Sequence, residues 1–277
     1  MKFEQWRTLI SIAPGLLGYI LFFCFPVAFV FSEALVAPLE TFNRMISDSY
    51  LIGSIQGSLI LALTSSITSL LVALCIARFL SQCKPLTRQW LSVGIALPLV
   101  FSGLIVAYGF ILTFGRAGFV TQLLGYAGIP EASFGTLIFT PFGLAIAYCY
   151  YLIPRAVFIL LPVMLNFNWQ QMKVSESLGA SKWQSYRYIF LPQLYPAMIT
   201  SVCVMISVAL GAYGTALALS GTQLNILPLT LYSKISDGGT DFPVVGMLSI
   251  LLVTLCVAFT LLAEWFRHKY QFGIKPS

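Results

Sequence analysis

Apolar residues run through this chain in stretches of membrane length, separated by short polar segments, and one of those segments differs in kind from the others. A helix crossing the hydrocarbon core of a bilayer needs about 20 mostly apolar residues. Six stretches reach that length: Leu9–Phe31, Ser58–Ala77, Leu91–Phe114, Thr136–Leu165, Ala197–Leu219 and Val244–Ala263. Their apolar positions are continuous and do not alternate, which predicts helices and argues against the strands of a membrane barrel. Between the fourth and fifth stretches lies a polar island, Val174 to Pro192, reading V-S-E-S-L-G-A-S-K-W-Q-S-Y-R-Y-I-F-L-P. The expected fold is all-α and integral to the membrane, with six transmembrane helices in a single unit over residues 1–277 and no extramembrane stretch long enough for a second domain.

Composition agrees with this pattern and narrows the class. Of 277 residues, 58% are hydrophobic and 9% charged, and the mean hydropathy is +0.90; a globule of that composition would not stay in water. The first stretch follows Lys2 and Arg7 and ends near Ser32-Glu33-Ala34, where a signal peptidase could cut, but its apolar run is too long for a signal core and is expected to span. The six cysteines, Cys24, Cys75, Cys83, Cys149, Cys203 and Cys256, show no C-x-x-C spacing. They are expected to pack as small apolar residues, not to form disulfides or a metal site.

Charge sets the expected orientation. One set of loops carries Lys2, Arg7, Arg78, Lys84, Arg88, Lys173, Lys182, Arg187, Arg267, Lys269 and Lys275, and the other carries Arg44, Arg116 and Lys234. The rule that positive side chains stay inside places both termini and the island in the cytoplasm. Acids run the other way, with Glu33, Glu40, Asp48, Glu131, Asp237 and Asp241 outside and Glu4, Glu176 and Glu264 inside. The net charge of +6 is therefore a topology signal, facing membrane lipids, with no nucleic-acid partner implied. The outer acids fit either a docking rim for a delivery protein or ordinary solvated loops.

Helix breakers gather in particular spans: Pro14 and Pro26 in the first, Pro98 in the third, Pro141, Pro154 and Pro162 in the fourth, Gly211 and Gly214 in the fifth. In a bilayer they are tolerated where neighbours satisfy the freed backbone or where irregular backbone lines a cavity. This makes the fourth and fifth spans the candidates for a solute pathway. Arg155 stands within the fourth span, about ten residues or ~15 Å from its inner end, where an unpaired cation costs at least ~2.5 kcal/mol. Tyr148, Tyr150 and Tyr151 surround it in sequence. Two roles stay open for Arg155: a pathway cation that meets an anionic group on the solute or holds a gate, or a cation paired with backbone carbonyls or tyrosines in the bundle.

The island predicts its own structure. Trp169 to Leu178 suits a helix, Gly179 a C-cap, and Ser181-Lys182-Trp183-Gln184 a capping box opening a second short helix. Pro192 and Pro196 are expected in the first turn of the fifth span. Turn chemistry at Gly115-Arg116-Ala117-Gly118, Ser220-Gly221-Thr222 and Asp237-Gly238-Gly239-Thr240 closes the outer loops.

The island also resembles the cytoplasmic loop of binding-protein-dependent ABC importer permeases, whose pattern is E-A-A, three residues, G, nine residues, I-x-L-P. Gly179, Ile189, Leu191 and Pro192 fall at the right spacing, and L-G-A-S at Leu178 to Ser181 is typical of that family. Lys173, Val174 and Ser175 stand where the pattern has Glu-Ala-Ala, and Glu176 comes three positions late for its acid. The likeness covers most of the chain, including G-G-T-D-F-P-V-V-G-M before the last span, and is greatest for the spermidine/putrescine type, a group that also holds ferric iron, thiamine and aminoalkylphosphonate permeases. What the resemblance implies is a transport subunit, not an enzyme, in a bacterial inner membrane. Residues 166–195 would hold a coupling helix seated in a separate ATPase, with Glu176, Leu178, Gly179, Ala180, Ser181, Ile189, Leu191 and Pro192 in the docking segment. The helix breakers and the depth of Arg155, apart from the resemblance, make Arg155, Tyr151, Gly211 and Gly214 the candidate pathway positions. Implied partners are two ABC ATPase subunits, a second permease, homologous or identical, and a periplasmic solute-binding protein bringing a polyamine, an aminoalkylphosphonate or another small solute.

ATP and Mg are expected on the ATPase, because this chain contains no G-x-x-x-x-G-K-[ST] to cradle phosphates, and no cofactor is expected on the chain itself. Its single histidine, His268, lies in a basic cluster with Arg267 and Lys269 and suggests no catalysis. The rival class is a gradient-driven transporter or channel, disfavoured by the lack of Asp and Glu within the spans.

Overall fold

A computed structural model describes residues 12–126, 128, 135–221, 223–236 and 241–271. Of the features expected from sequence, the first residues of the opening span, Lys2, Glu4, Arg7, Glu131, the Asp237–Thr240 turn and Lys275 lie outside them. The described chain is helical, without strands: α1 (Ile12–Ala34), α2 (Pro38–Ser47), α3 (Ser49–Gln82), α4 (Pro85–Ala96), α5 (Gly103–Phe114), α6 (Phe119–Tyr126), α7 (Pro141–Asn166), α8 (Gln170–Ser177), α9 (Lys182–Leu210), α10 (Tyr213–Ser220), α11 (Leu227–Ser236) and α12 (Phe242–Gln271). Six segments are long and apolar enough to cross a membrane: α1, α3, α5 with α6, α7, α9 and α12.

The bundle is centred on α7. More of its length is buried than that of any other span, with Leu144, Ala147, Leu152, Ala156, Val157 and Leu160 fully enclosed. Its main neighbour, α3, presents a stripe of small residues at helical spacing: Ser54, Ser58, Ala62, Ser65, Ser69, Ala73 and Ala77 are all buried. Small side chains let two backbones approach closely, which in lipid supplies the packing that the hydrophobic effect cannot. On another face of α3, Gly57 admits the chain before α11, since any Cβ there would collide with the carbonyl of Asn225. Nearby, Ser58 Oγ accepts from the Leu227 amide at 2.7 Å and Asn225 Nδ2 donates to the Tyr50 carbonyl at 2.9 Å, so the chain leading into α11 is sewn to the N-terminal part of α3.

The hydroxyls do less cross-linking than their sequence positions suggest. Ser65 and Thr68 donate to carbonyls of their own preceding turn, at 2.6 and 2.8 Å, the back-bonding that a hydroxyl in a helix adopts most readily. Ser207 Oγ does reach across, donating to the Cys256 carbonyl at 3.1 Å. The cysteines are all free.

Three boundaries differ from those read in the sequence. The third stretch, Leu91–Phe114, is interrupted: α4 ends at Ala96, a 3₁₀ turn occupies Leu97–Leu99, and α5 begins at Gly103 behind the Ser102 cap. Pro98, which cannot continue the α ladder, sits in that turn. The fifth stretch stops at Leu210 and resumes at Tyr213. The island's second helix is not separate, because Lys182 to Leu210 is continuous, leaving Pro192 and Pro196 well inside one helix and not in its first turn. By contrast, Pro154 and Pro162 leave α7 unbroken.

The two π segments have one cause. Ile20–Cys24 precedes Pro26, and Tyr186–Phe190 precedes Pro192, each closed by the residue just before the proline: Phe25 donates to the Ile20 carbonyl and Leu191 to the Tyr186 carbonyl. A proline lacks the N–H its turn needs and its ring presses on the carbonyl four residues back; widening the preceding turn relieves both.

Candidate functional site

The island folds as two helices joined by the shortest turn its residues allow. Helix α8 starts behind Asn168, whose Oδ1 accepts from the Gln170 amide at 3.0 Å. It ends in a complete Schellman motif: the Gly179 amide donates to the Glu176 carbonyl at 3.0 Å, and the Ala180 amide to the Ser175 carbonyl at 3.0 Å. Gly179 has φ of +93°, in the left-handed region that costs an L-residue about 1–2 kcal/mol. The next residue but one, Ser181, caps α9 in a reciprocal box: the Gln184 amide donates to Ser181 Oγ at 3.2 Å and the Ser181 amide to Gln184 Oε1 at 2.8 Å. Leu178-Gly179-Ala180-Ser181 therefore ends one helix and starts the next with no residue to spare.

The turn stands out from the bundle. Leu178 is 84% exposed and Trp183 68%, while Lys173, Glu176, Ser177, Gly179, Ser181, Lys182 and Arg187 are exposed around them. Its base is fastened. Ser175 and Ser185 share a hydroxyl hydrogen bond at 2.5 Å between α8 and α9, and Gln193 Nε2 donates to Gln171 Oε1 at 2.9 Å. Phe190 and Leu194 are buried, Ile189 and Leu191 half-buried, and Pro192 is exposed. Thus Leu178 and Gly179 form the crest, whereas Ile189 and Leu191 belong to the root.

One part of the root escaped the sequence reading. Trp169 stacks on Phe190 (centroids 5.3 Å apart), Phe190 on Tyr186 (4.9 Å), and Phe167 meets both Trp169 and Phe190 edge-on (4.8 and 5.0 Å). The Arg78 guanidinium from α3 covers this box, 4.2 Å from the Trp169 centroid and 5.8 Å from that of Phe190. Arg78 had counted only as a topology charge.

The pathway positions fall into two groups. Arg155 is half-buried on α7; its Nη1 donates to the Tyr151 carbonyl at 3.0 Å and its Cζ lies 5.6 Å from the Tyr151 ring centroid. No acid is paired with it among the described residues. With α7 spanning Pro141–Asn166, Arg155 is about 16 Å from the end that leads into the island and about 21 Å from the other. Gly211 and Gly214 flank the break between α9 and α10. Buried Tyr148 donates to the Ala212 carbonyl there at 2.8 Å, so α7 satisfies the backbone that the break releases. Thr215 Oγ1 donates to the Gly103 carbonyl at 3.1 Å, tying α10 to α5. Tyr148 and Tyr151 rings touch, with centroids 5.6 Å apart, and they are the link between the two groups. A separate apolar groove of about 430 Å³, lined by Phe101, Ile105, Phe110, Thr113 and Tyr150 among others, opens beside α5 and contains neither group.

Of the acids expected outside, Glu40 pairs with Arg44 within α2, and Asp241 lies 3.9 Å from Arg44. Glu264 joins Arg267 at 2.5 Å and His268 at 3.8 Å, while Lys269 lies 4.9 Å over Trp265. No group of His, Cys, Asp and Glu capable of holding a metal occurs among the described residues.

These features define a class: a multi-pass α-helical membrane protein with a compact, anchored helix–turn–helix projecting from one end. Residues 69–271 match the family described as binding-protein-dependent transport system inner membrane component, and the chain belongs to that family of ABC importer permeases, multi-pass proteins of the inner membrane. Among its relatives, the sulfate transport permease CysT of Escherichia coli is 23% identical over 261 residues, covering 91% of this chain and 90% of that protein. The sulfate permease CysW of Synechocystis sp. is 25% identical, covering 93% of each. The thiamine permease ThiP of Escherichia coli is 25% identical over 82% of this chain but 42% of its own length; the chain spans about half the length of the thiamine permeases it matches, 42% and 46%. In three dimensions the chain is similar to a chain of a bacterial ABC transporter importing the acidic polysaccharide alginate, with a TM-score of 0.68 at 17% identity and 96% of both chains covered, which shows the shared fold.

Proposed function

We propose that this chain is the membrane-spanning subunit of an ATP-driven, binding-protein-dependent importer and that its island is the surface gripped by a separate ATPase. The observation that carries the proposal is the island's construction. It has a crest of exposed Leu178 and Gly179, a short helix α8 and the start of the long α9 locked by back-to-back caps, and a root bonded into the bundle. Such a rigid projection can turn a partner's closure into movement of α7 and α9, to which it is covalently joined. Family membership supports this reading, as do the matched spacings from Gly179 to Pro192.

In this proposal both termini and the island face the cytoplasm, ATP and Mg are held by two ATPase subunits, a second permease completes the pathway, and a periplasmic protein delivers the solute. One structural neighbour was solved with an alginate pentasaccharide-bound periplasmic protein, which supports the last point. The pathway runs beside α7 and the α9–α10 break, with Arg155, Tyr151, Gly211 and Gly214 as its contacts. An Arg155 without an acid partner near mid-membrane favours an anionic solute over a polycation, because a bound anion offsets the desolvated charge; the sulfate permeases among the relatives agree.

A Leu178→Cys variant tests the docking surface. In membrane vesicles the thiol should be modified by an impermeant reagent from the cytoplasmic face only, and a short bifunctional cross-linker should join it to the ATPase. Modification from the outer face, or cross-links that never include the ATPase, would overturn the proposal.

A further inference from the structure

We infer that Arg78 is a positioning residue for transport, clamping the inner end of α3 to the island so that α3, α7 and α9 respond to the ATPase as one body; this rests on the docking proposal above. The chain itself joins the island only to α7 and α9. Helix α3 is coupled to them laterally through the small Ser65, Ser69, Ala73 and Ala77, through the buried Leu61, Leu70 and Leu80, and through Thr68 Oγ1, which lies 3.2 Å from Cys149 Sγ of α7.

At the inner end the contact changes character. The Arg78 guanidinium lies 4.2 Å from the Trp169 centroid and 5.8 Å from that of Phe190. Trp169 is the residue from which α8 starts, and Phe190 is 1% exposed within the π segment of α9. One cation thus covers two rings, one at each foot of the island. An arginine at a membrane edge ordinarily extends to water or an acid; Arg78 is half-buried and has no ion pair among the described residues. Stacking of a planar cation on two aromatic faces is directional and resists shear as a methyl contact does not. When the island is pushed, the clamp carries α3 along; without it, α7 and α9 slip past α3 and part of the stroke is lost.

The test is to reconstitute the assembled transporter in proteoliposomes and read solute imported per ATP hydrolysed for wild type, Arg78→Ala, Arg78→Lys, Trp169→Leu and the Arg78→Ala/Trp169→Leu pair. Arg78→Ala should keep the ATPase bound and hydrolysing while the ratio falls about three-fold or more, Arg78→Lys, which keeps the charge but not the planar face, should restore only part of it, and the double variant should be no worse than the poorer single. A ratio for Arg78→Ala within about 1.5-fold of wild type would overturn the clamp while leaving docking intact. So would Arg78→Lys restoring the wild-type ratio in full, or losses that simply multiply in the double variant. Wild-type hydrolysis that never depends on this chain would overturn docking and the clamp together.

Discussion

Gly179 does two jobs that pull in the same direction. Its φ of +93° lets α8 end within one residue, and an added Cβ would meet no heavy atom within 4 Å, so the demand is on backbone conformation and not on space. Gly179→Ala should therefore weaken the turn by about 1 kcal/mol, seen as roughly five-fold faster hydrogen exchange at the amides of residues 179 and 180; unchanged exchange there would mean the Schellman bonds do not hold the turn. The glycine, the serine cap and Gln184 were all legible in the sequence because each acts on partners within five residues. Arg78 was not: its aromatic partners lie about a hundred positions away, and nothing near an arginine in sequence announces a ring it will cover. Arg155 stands between these cases. Its depth could be read from hydropathy, but its bond to the Tyr151 carbonyl, one turn back, could not be told in advance from a role in the pathway.

At the scale of elements, hydropathy located the six spans and misplaced several of their ends. It cannot separate an α turn from the 3₁₀ turn at Leu97–Leu99, since both carry the same apolar side chains. Proline content was an uneven guide for a physical reason. Pro98 stands in a break, and Pro26 and Pro192 each follow a π segment. Pro154 and Pro162, in the most buried of the six spans, leave it unbroken because the neighbours hold its course. If Pro192 causes the wide turn, Pro192→Ala should return an N–H to the ladder and let Tyr186–Phe190 tighten to α geometry. That would rotate the island relative to Gln193 and break its bond to Gln171. Exchange across Gln170–Ser177 should then quicken several-fold, at about 1 kcal/mol for the lost bond; protection equal to the native protein would show that the π turn is set by packing instead.

For the whole molecule, the central claim is that a rigid projection on one end of a helical bundle takes up work done by another polypeptide. The bundle is suited to it, with a small-residue seam between α3 and α7, a break in the fifth span held by Tyr148, and a root in which the island, α3, α7 and α9 share one aromatic cluster. The most direct measurement is ATP hydrolysis in nanodiscs containing this chain and its ATPase, with and without candidate binding proteins loaded with sulfate, phosphonate, thiamine or polyamine, for the native protein and Gly179→Asp. Aspartate is tolerated in the left-handed region better than most residues, so the island should still fold while its crest gains a charge. The account predicts that one loaded binding protein, carrying an anion, stimulates hydrolysis and that Gly179→Asp abolishes the stimulation without loss of the inserted protein. Stimulation that survives Gly179→Asp undiminished, or hydrolysis indifferent to this chain, would contradict it.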